Sequence, residues 1–84
     1  MYFLYIIGSI PTSRWYIGIT EHTLKRLEQH NAGRTRSTKP YRPYKLIHEE
    51  KFTDKTEARK REIKVKRSGI IRKELKERLH GPIV

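Results

Sequence analysis

Two runs of aromatic and β-branched residues stand close together near the start of the chain, and their pairing limits the fold more than any other feature. Tyr2 to Ile7 reads as a buried strand. Arg14 to Thr20 reads as a second, with Trp15, Ile17 and Ile19 on one face and Tyr16 and Gly18 on the other. Gly8 to Ser13 holds Gly, Ser, Pro and Thr and reads as a loop. Two strands joined by a short loop form an antiparallel hairpin. Tyr5 and Tyr16 can then face the same side, but the register that decides this is not written in the sequence.

The remaining periodicities complete the outline. Glu21 to Ala32 reads as a helix, with Leu24 and Leu27 as its apolar edge and Gly33 just past its end. Arg34 to Pro43 is a loop with two prolines and several basic residues. Tyr44 to Phe52 is a third strand. Asp54 and Glu57 form a capping box for a helix through about Lys66. Ser68-Gly69 breaks that pattern, Ile70 to His80 is a final helix, and Gly81-Pro82 ends it. The expected fold class is α+β: one domain over residues 1–84, with a three-stranded antiparallel sheet flanked by helices in the order β-β-α-β-α-α.

A chain of 84 residues supports a small core. It contains no cysteine, so neither disulfides nor thiolate metal sites can staple it, which fits a cytoplasmic protein. The apolar N-terminus, Met1 to Ile7, is too short to span a membrane and lacks the marks of a signal peptide. The formal net charge is +11. Residues 1–40 carry 6 Lys/Arg against 2 Asp/Glu, and residues 41–84 carry 14 against 7, so the excess is spread along the chain. A folded domain this basic points to a polyanionic partner. A membrane surface fits less well, because no stretch pairs a basic face with a bulky apolar one.

Arg26 and His30 lie one helical turn apart and share a face. Relative to Leu27 they stand about 100° and about 60° around the helix, at the border between core and solvent. On spacing alone a surface pair reads equally well. Glu62 is more informative: it lies about 40° from Ala58 and about 60° from Val65, on the inward stripe of its helix. An inward carboxylate needs a basic partner or a metal ion. Glu57 points away and is explained as a cap. Tyr5 and Tyr16, taken alone, would be packing residues, and Trp15 is read as core. Gly18 marks a close approach or a bulge. His22, His48 and His80 show no metal spacing and receive no role.

These residues in this order resemble the GIY-YIG nuclease superfamily, in particular its small single-domain bacterial members, from about Tyr2 to Ile70. Tyr16-Ile17-Gly18 is the second motif intact; Phe3-Leu4-Tyr5 stands at the first, where only the tyrosine matches. Leu24 to Asn31 is similar to the family's first helix, and Glu57 to Lys64 to the helix with its metal-binding glutamate. The resemblance implies metal-dependent cleavage of DNA, in repair or recombination. It implies that Glu62 holds Mg²⁺ or Mn²⁺, and that Arg26 neutralises charge on the transition state. Tyr5 or Tyr16 would deprotonate or position the attacking water, with His30 in support. Some members carry a lysine after the second motif, where Ile19 and Thr20 stand here.

Beyond Ile70 no zinc finger or helix-turn-helix is evident, so the domain must hold DNA through its own surface. Arg34, Arg36, Lys39 and Arg42 in the loop are candidates, with Lys64, Lys66, Arg67, Arg72 and Lys73 behind Glu62. Tyr41 and Tyr44 interleave with this charge as possible stacking groups for an unpaired base. Contacts of this kind go mainly to phosphate and carry little sequence information. The expected protein is a monomeric, structure-tolerant endonuclease acting on branched, nicked or single-stranded DNA; the alternative is a non-catalytic nucleic-acid-binding module of the same fold.

Overall fold

The computed structural model describes residues 1–80. Strands β1 (Tyr2–Ser9), β2 (Trp15–Thr20) and β3 (Tyr44–Phe52) form one antiparallel sheet in the order β2-β1-β3. Helix α1 (Thr23–Asn31) follows the hairpin, and α2 (Lys55–Arg67) and α3 (Gly69–His80) follow β3. The sheet and its flanking helices are those expected from the periodicities. The end of the last helix, placed at Gly81-Pro82, lies outside the described residues.

Strand β1 is central and is covered on both faces: Leu4, Tyr5, Ile6 and Ile7 are all at most 1% exposed. On one face Leu4, Ile6 and Ile17 pack against Val65 of α2 and Leu75 of α3, with Trp15 at the margin. On the other, Tyr5, Ile7 and Tyr44 pack with Tyr16 and Leu27, the latter from α1. A continuously apolar strand suits such two-sided burial. The strand also runs two residues past the expected end, because Gly8 pairs with Trp15 and Ser9 with Tyr44. The ladder overrides the turn-forming tendency of Gly-Ser there.

Helix α1 corrects two expectations. Leu24 is 70% exposed and lies off the core; Leu27 faces inward as expected, and Thr23 and His30 are buried with it. His30 is fully buried and does not sit at a solvent border. The segment after α1 folds back over it, turning through a short 3₁₀ helix at Lys39–Tyr41. Gly33 follows α1 with φ 77°, the left-handed conformation in which glycine is unstrained. Asn31 then ties α1 to β3: its Oδ1 accepts from Tyr44 N (2.7 Å) and its Nδ2 donates to Tyr44 O (3.1 Å). Tyr44 is buried in consequence and cannot stack on a base.

Helix α2 begins as read, with the Asp54 side chain accepting from Glu57 N at 2.9 Å. Its buried residues are Ala58, Glu62 and Val65, so the carboxylate does lie on the inward stripe. At its other end Arg72 Nη1 donates to the carbonyls of Val65 and Lys66, closing the α2–α3 corner.

Candidate active site

The hairpin register places the two tyrosines. Tyr5 stands opposite Gly18, and Tyr16 opposite Ile7, so both side chains rise from one face with ring centroids 6.2 Å apart. Gly18 makes this possible: a Cβ there would lie 2.8 Å from the Tyr5 hydroxyl oxygen and 2.9 Å from Cζ. Gly18→Ala is therefore expected to push the Tyr5 ring aside, at a cost of about 1–3 kcal/mol in unfolding free energy. Denaturant titration of the variant measures that cost.

His30 occupies the floor beneath both rings. Its Nε2 lies 2.9 Å from the Tyr5 hydroxyl and its Nδ1 lies 2.8 Å from Thr38 Oγ1. Its ring centroid is 4.8 Å from that of Tyr16 and 6.2 Å from that of Tyr44. Burial, reinforced by the Arg26 charge, lowers its pKa to about 4. The imidazole is neutral near pH 7 and acts as a hydrogen-bonding group.

The Tyr5 hydroxyl lies in the field of several other groups. Burial pushes its pKa up to about 12; the Arg26 guanidinium beside it pulls down, while Tyr16 and the carboxylate of Glu62 push further up. Tyr5, Tyr16 and His30 are thus in contact with one another, and the charges of Arg26 from α1 and Glu62 from α2 act on the Tyr5 hydroxyl. Arg26 is half-buried, and its Nη1 donates to Gln29 Oε1 at 2.8 Å. An open cleft of about 270 Å³ lined by Thr20, Glu21, His22, Lys25 and Gln29 leads to it. A wider groove of about 690 Å³, between Phe3, Leu24 and Leu46, holds none of the candidate residues.

Glu62 is 8% exposed. Lys66 Nζ lies 3.2 Å from its Oε2 and Arg59 Nη1 lies 3.6 Å from its Oε1. Both partners come from the same helix and are themselves exposed, so a competing cation can displace them. No cluster of three or more acidic, His or Cys ligands exists among the described residues. One carboxylate fits a hydrated divalent ion of the Mg²⁺ type, which keeps most of its waters.

Most of the basic candidates are available to a ligand. Arg34, Arg36, Lys39 and Arg42 are exposed on the segment after α1, as are Lys64, Lys66, Arg67 and Lys73 on α2 and α3. Arg72 is half-buried and engaged with the α2 carbonyls. The Tyr41 ring carries the Arg14 guanidinium 4.3 Å above its centroid, which occupies that face. Thr38 and Asn31 are the residues that sequence reasoning missed. Both sit in or beside a stretch that reads as loop, and only the tertiary fold-back brings them to the site. His48, with no role in the sequence reading, joins Glu50 (2.8 Å) in a network with Arg61 (2.9 Å) that pins β3 to α2.

The GIY-YIG catalytic domain family model matches residues 1–69. A UPF0213 protein of Listeria monocytogenes is 42% identical over 67 residues, covering 79% of this chain and 73% of that protein. UPF0213 protein YazA of Bacillus subtilis is 37% identical over 75 residues, covering 88% and 75%. The solution NMR structure of the UPF0213 protein BH0048 from Bacillus halodurans superposes with a TM-score of 0.58 at 28% identity, over 98% of this chain and 89% of that one. No helix among the described residues is long and apolar enough to cross a membrane.

Proposed function

The chain belongs to the GIY-YIG catalytic domain family, whose fold is that of nucleases, and on that premise we propose that it hydrolyses DNA phosphodiester bonds with one divalent ion, Mg²⁺ or Mn²⁺, at Glu62. The observation that carries this reading is that Tyr5, Tyr16 and His30 pack together where the charges of Arg26 and Glu62 both act on the Tyr5 hydroxyl. Packing alone gives no reason to set two phenols and an imidazole within the field of a guanidinium and a carboxylate.

The tyrosines divide the work. The Tyr5 hydroxyl is buried and engaged with His30, so it serves as a fixed orienting group. Tyr16 is half-exposed, and no hydrogen-bond partner for its hydroxyl is found among the described residues. It is the phenol free to position or deprotonate the attacking water. Arg26 offers planar donors to the charge that builds on the phosphate oxygens. A divalent ion at Glu62 would polarise the scissile phosphate and neutralise the leaving oxygen.

Contacts from Arg34, Arg36, Lys39, Arg42 and from Lys64, Lys66, Arg67 and Lys73 would fall on phosphates. Low sequence specificity follows, with tolerance of branched, nicked or single-stranded forms. Such an enzyme suits repair or recombination in the cytoplasm, working as a monomer. The ion pairs on both Glu62 oxygens favour a second reading, a binding module of the same fold that no longer cuts.

The tyrosine assignment is tested by two single-atom deletions. Tyr16→Phe is expected to lower turnover by about 10²-fold or more and to leave stability nearly unchanged. Tyr5→Phe strands a buried imidazole nitrogen and is expected to cost about 1–3 kcal/mol in stability as well. Single-turnover cleavage rates and denaturant melts of both variants separate the two roles; equal rate losses with equal stability losses would contradict the division.

A further inference from the structure

The His30 imidazole is held between two hydroxyls, and the direction of each bond can be worked out. Thr38 is 2% exposed, and its Oγ1 donates to the Thr35 carbonyl at 3.3 Å. With its one proton on that carbonyl, Thr38 offers only lone pairs to His30 Nδ1, 2.8 Å away, and in this arrangement Nδ1 carries the proton. A neutral imidazole with a proton on Nδ1 presents a bare Nε2. That nitrogen can only accept, and the Tyr5 hydroxyl is 2.9 Å from it.

The charge near the other end of the chain is consistent with the same direction. Arg26, whose charge acts on the Tyr5 hydroxyl, has donors only and cannot take the Tyr5 proton. His30 is then the acceptor at hand for it. The bonds therefore all run one way: from Tyr5 to His30, from His30 to Thr38, and from Thr38 to the Thr35 carbonyl.

We propose that Thr38 is a positioning residue: it fixes the His30 tautomer and, through it, the direction in which the Tyr5 hydroxyl donates. With that proton turned inward, the lone pairs of Tyr5 face Arg26 and the cleft. Reversing the chain would turn His30 Nε2 into a donor and leave the Tyr5 proton without a buried acceptor. Thr38 also stands between Arg36 and Lys39, on the segment offered above to the phosphate backbone. The segment that grips the ligand thus supplies the acceptor that sets the site.

The consequence for turnover rests on the nuclease reading; the tautomer does not. The test is ¹⁵N long-range NMR of the His30 ring at pH 7 in the wild type, Thr38→Ser and Thr38→Val, with His30→Gln to assign the signals. Proton on Nδ1 is expected in the wild type and in Thr38→Ser, which keeps the hydroxyl. Thr38→Val should lose that tautomer and lower the cleavage kcat on the order of tenfold, the scale on which outer partners of a functional histidine act, with KM unchanged. A wild-type His30 protonated on Nε2 would overturn the proposal without reference to any variant. So would a folded Thr38→Val protein with the wild-type tautomer and the wild-type kcat. A wild type that cuts no DNA would defeat the nuclease reading, and the NMR result would then decide the tautomer assignment alone.

Discussion

Replacing Glu62 with Gln is expected to reduce metal-dependent cleavage by about 10³-fold, the scale on which the loss of a key charge-stabilising group acts. The amide keeps the shape of the carboxylate but not its charge, so the hydrated cation loses its anchor. The fold should be little affected. The partners of Glu62 are Arg59 and Lys66, side-chain neighbours on the same helix, exposed to 55% and 50%. Pairs of this kind contribute on the order of 0.5 kcal/mol each. DNA binding should persist, because the basic residues are untouched and a negative charge has gone. Cleavage rates and fluorescence anisotropy on one labelled substrate check both halves. A Gln variant that cuts at the wild-type rate would remove Glu62 from the chemistry.

The second large effect is on stability below neutral pH. Folding lowers the His30 pKa from 6.5 to about 4, chiefly through burial. The unfolded chain therefore binds more protons than the folded one between these values, and stability rises with pH across that window. The His30 contribution is fully present above about pH 6.5 and is lost as pH falls towards about 4. At about 1.4 kcal/mol per pKa unit, the loss amounts to roughly 3 kcal/mol. Glu50 works in the same direction at lower pH. Burial alone would raise its pKa, but Arg61 and His48 overcome that and hold it below the usual carboxylate value. Denaturant unfolding from pH 7.5 to pH 4, run with His30→Gln as the control, isolates the histidine. The wild-type curve should fall steeply between pH 6.5 and pH 4 and the control curve should be flatter; parallel curves would contradict the buried neutral imidazole.

Local signals carried most of the fold. The inward faces of Trp15 and Ile17, the Asp54 half of the capping box and the inward position of Glu62 depend on neighbours in sequence, and each appears in the structure as read. The failures share one cause. Leu24 looked like core because helical spacing gives a direction but not what lies in that direction. His30 was placed at a border, and Tyr44 was offered as a stacking platform, because the segment between Arg34 and Pro43 reads as open loop. In the fold that segment closes over α1, held by Thr38 on His30 and by Asn31 on Tyr44. Hydrogen bonds between residues distant in sequence, made by short polar side chains, leave no periodic trace. Which tyrosine hydroxyl His30 engages was hidden for the same reason; the register that sets Tyr5 opposite Gly18 and the burial of His30 bring those two together.

The central claim is that Tyr5, Tyr16 and His30, with the charges of Arg26 and Glu62 around them, make a metal-dependent nuclease. The most direct test is cleavage of labelled duplex, nicked, branched and single-stranded DNA by the purified wild-type protein, in Mg²⁺ or Mn²⁺ against EDTA. The account predicts cutting of at least one form that needs the metal and disappears in Glu62→Gln. Salt-dependent binding to these DNAs with no cutting in either metal would contradict it and favour the binding module.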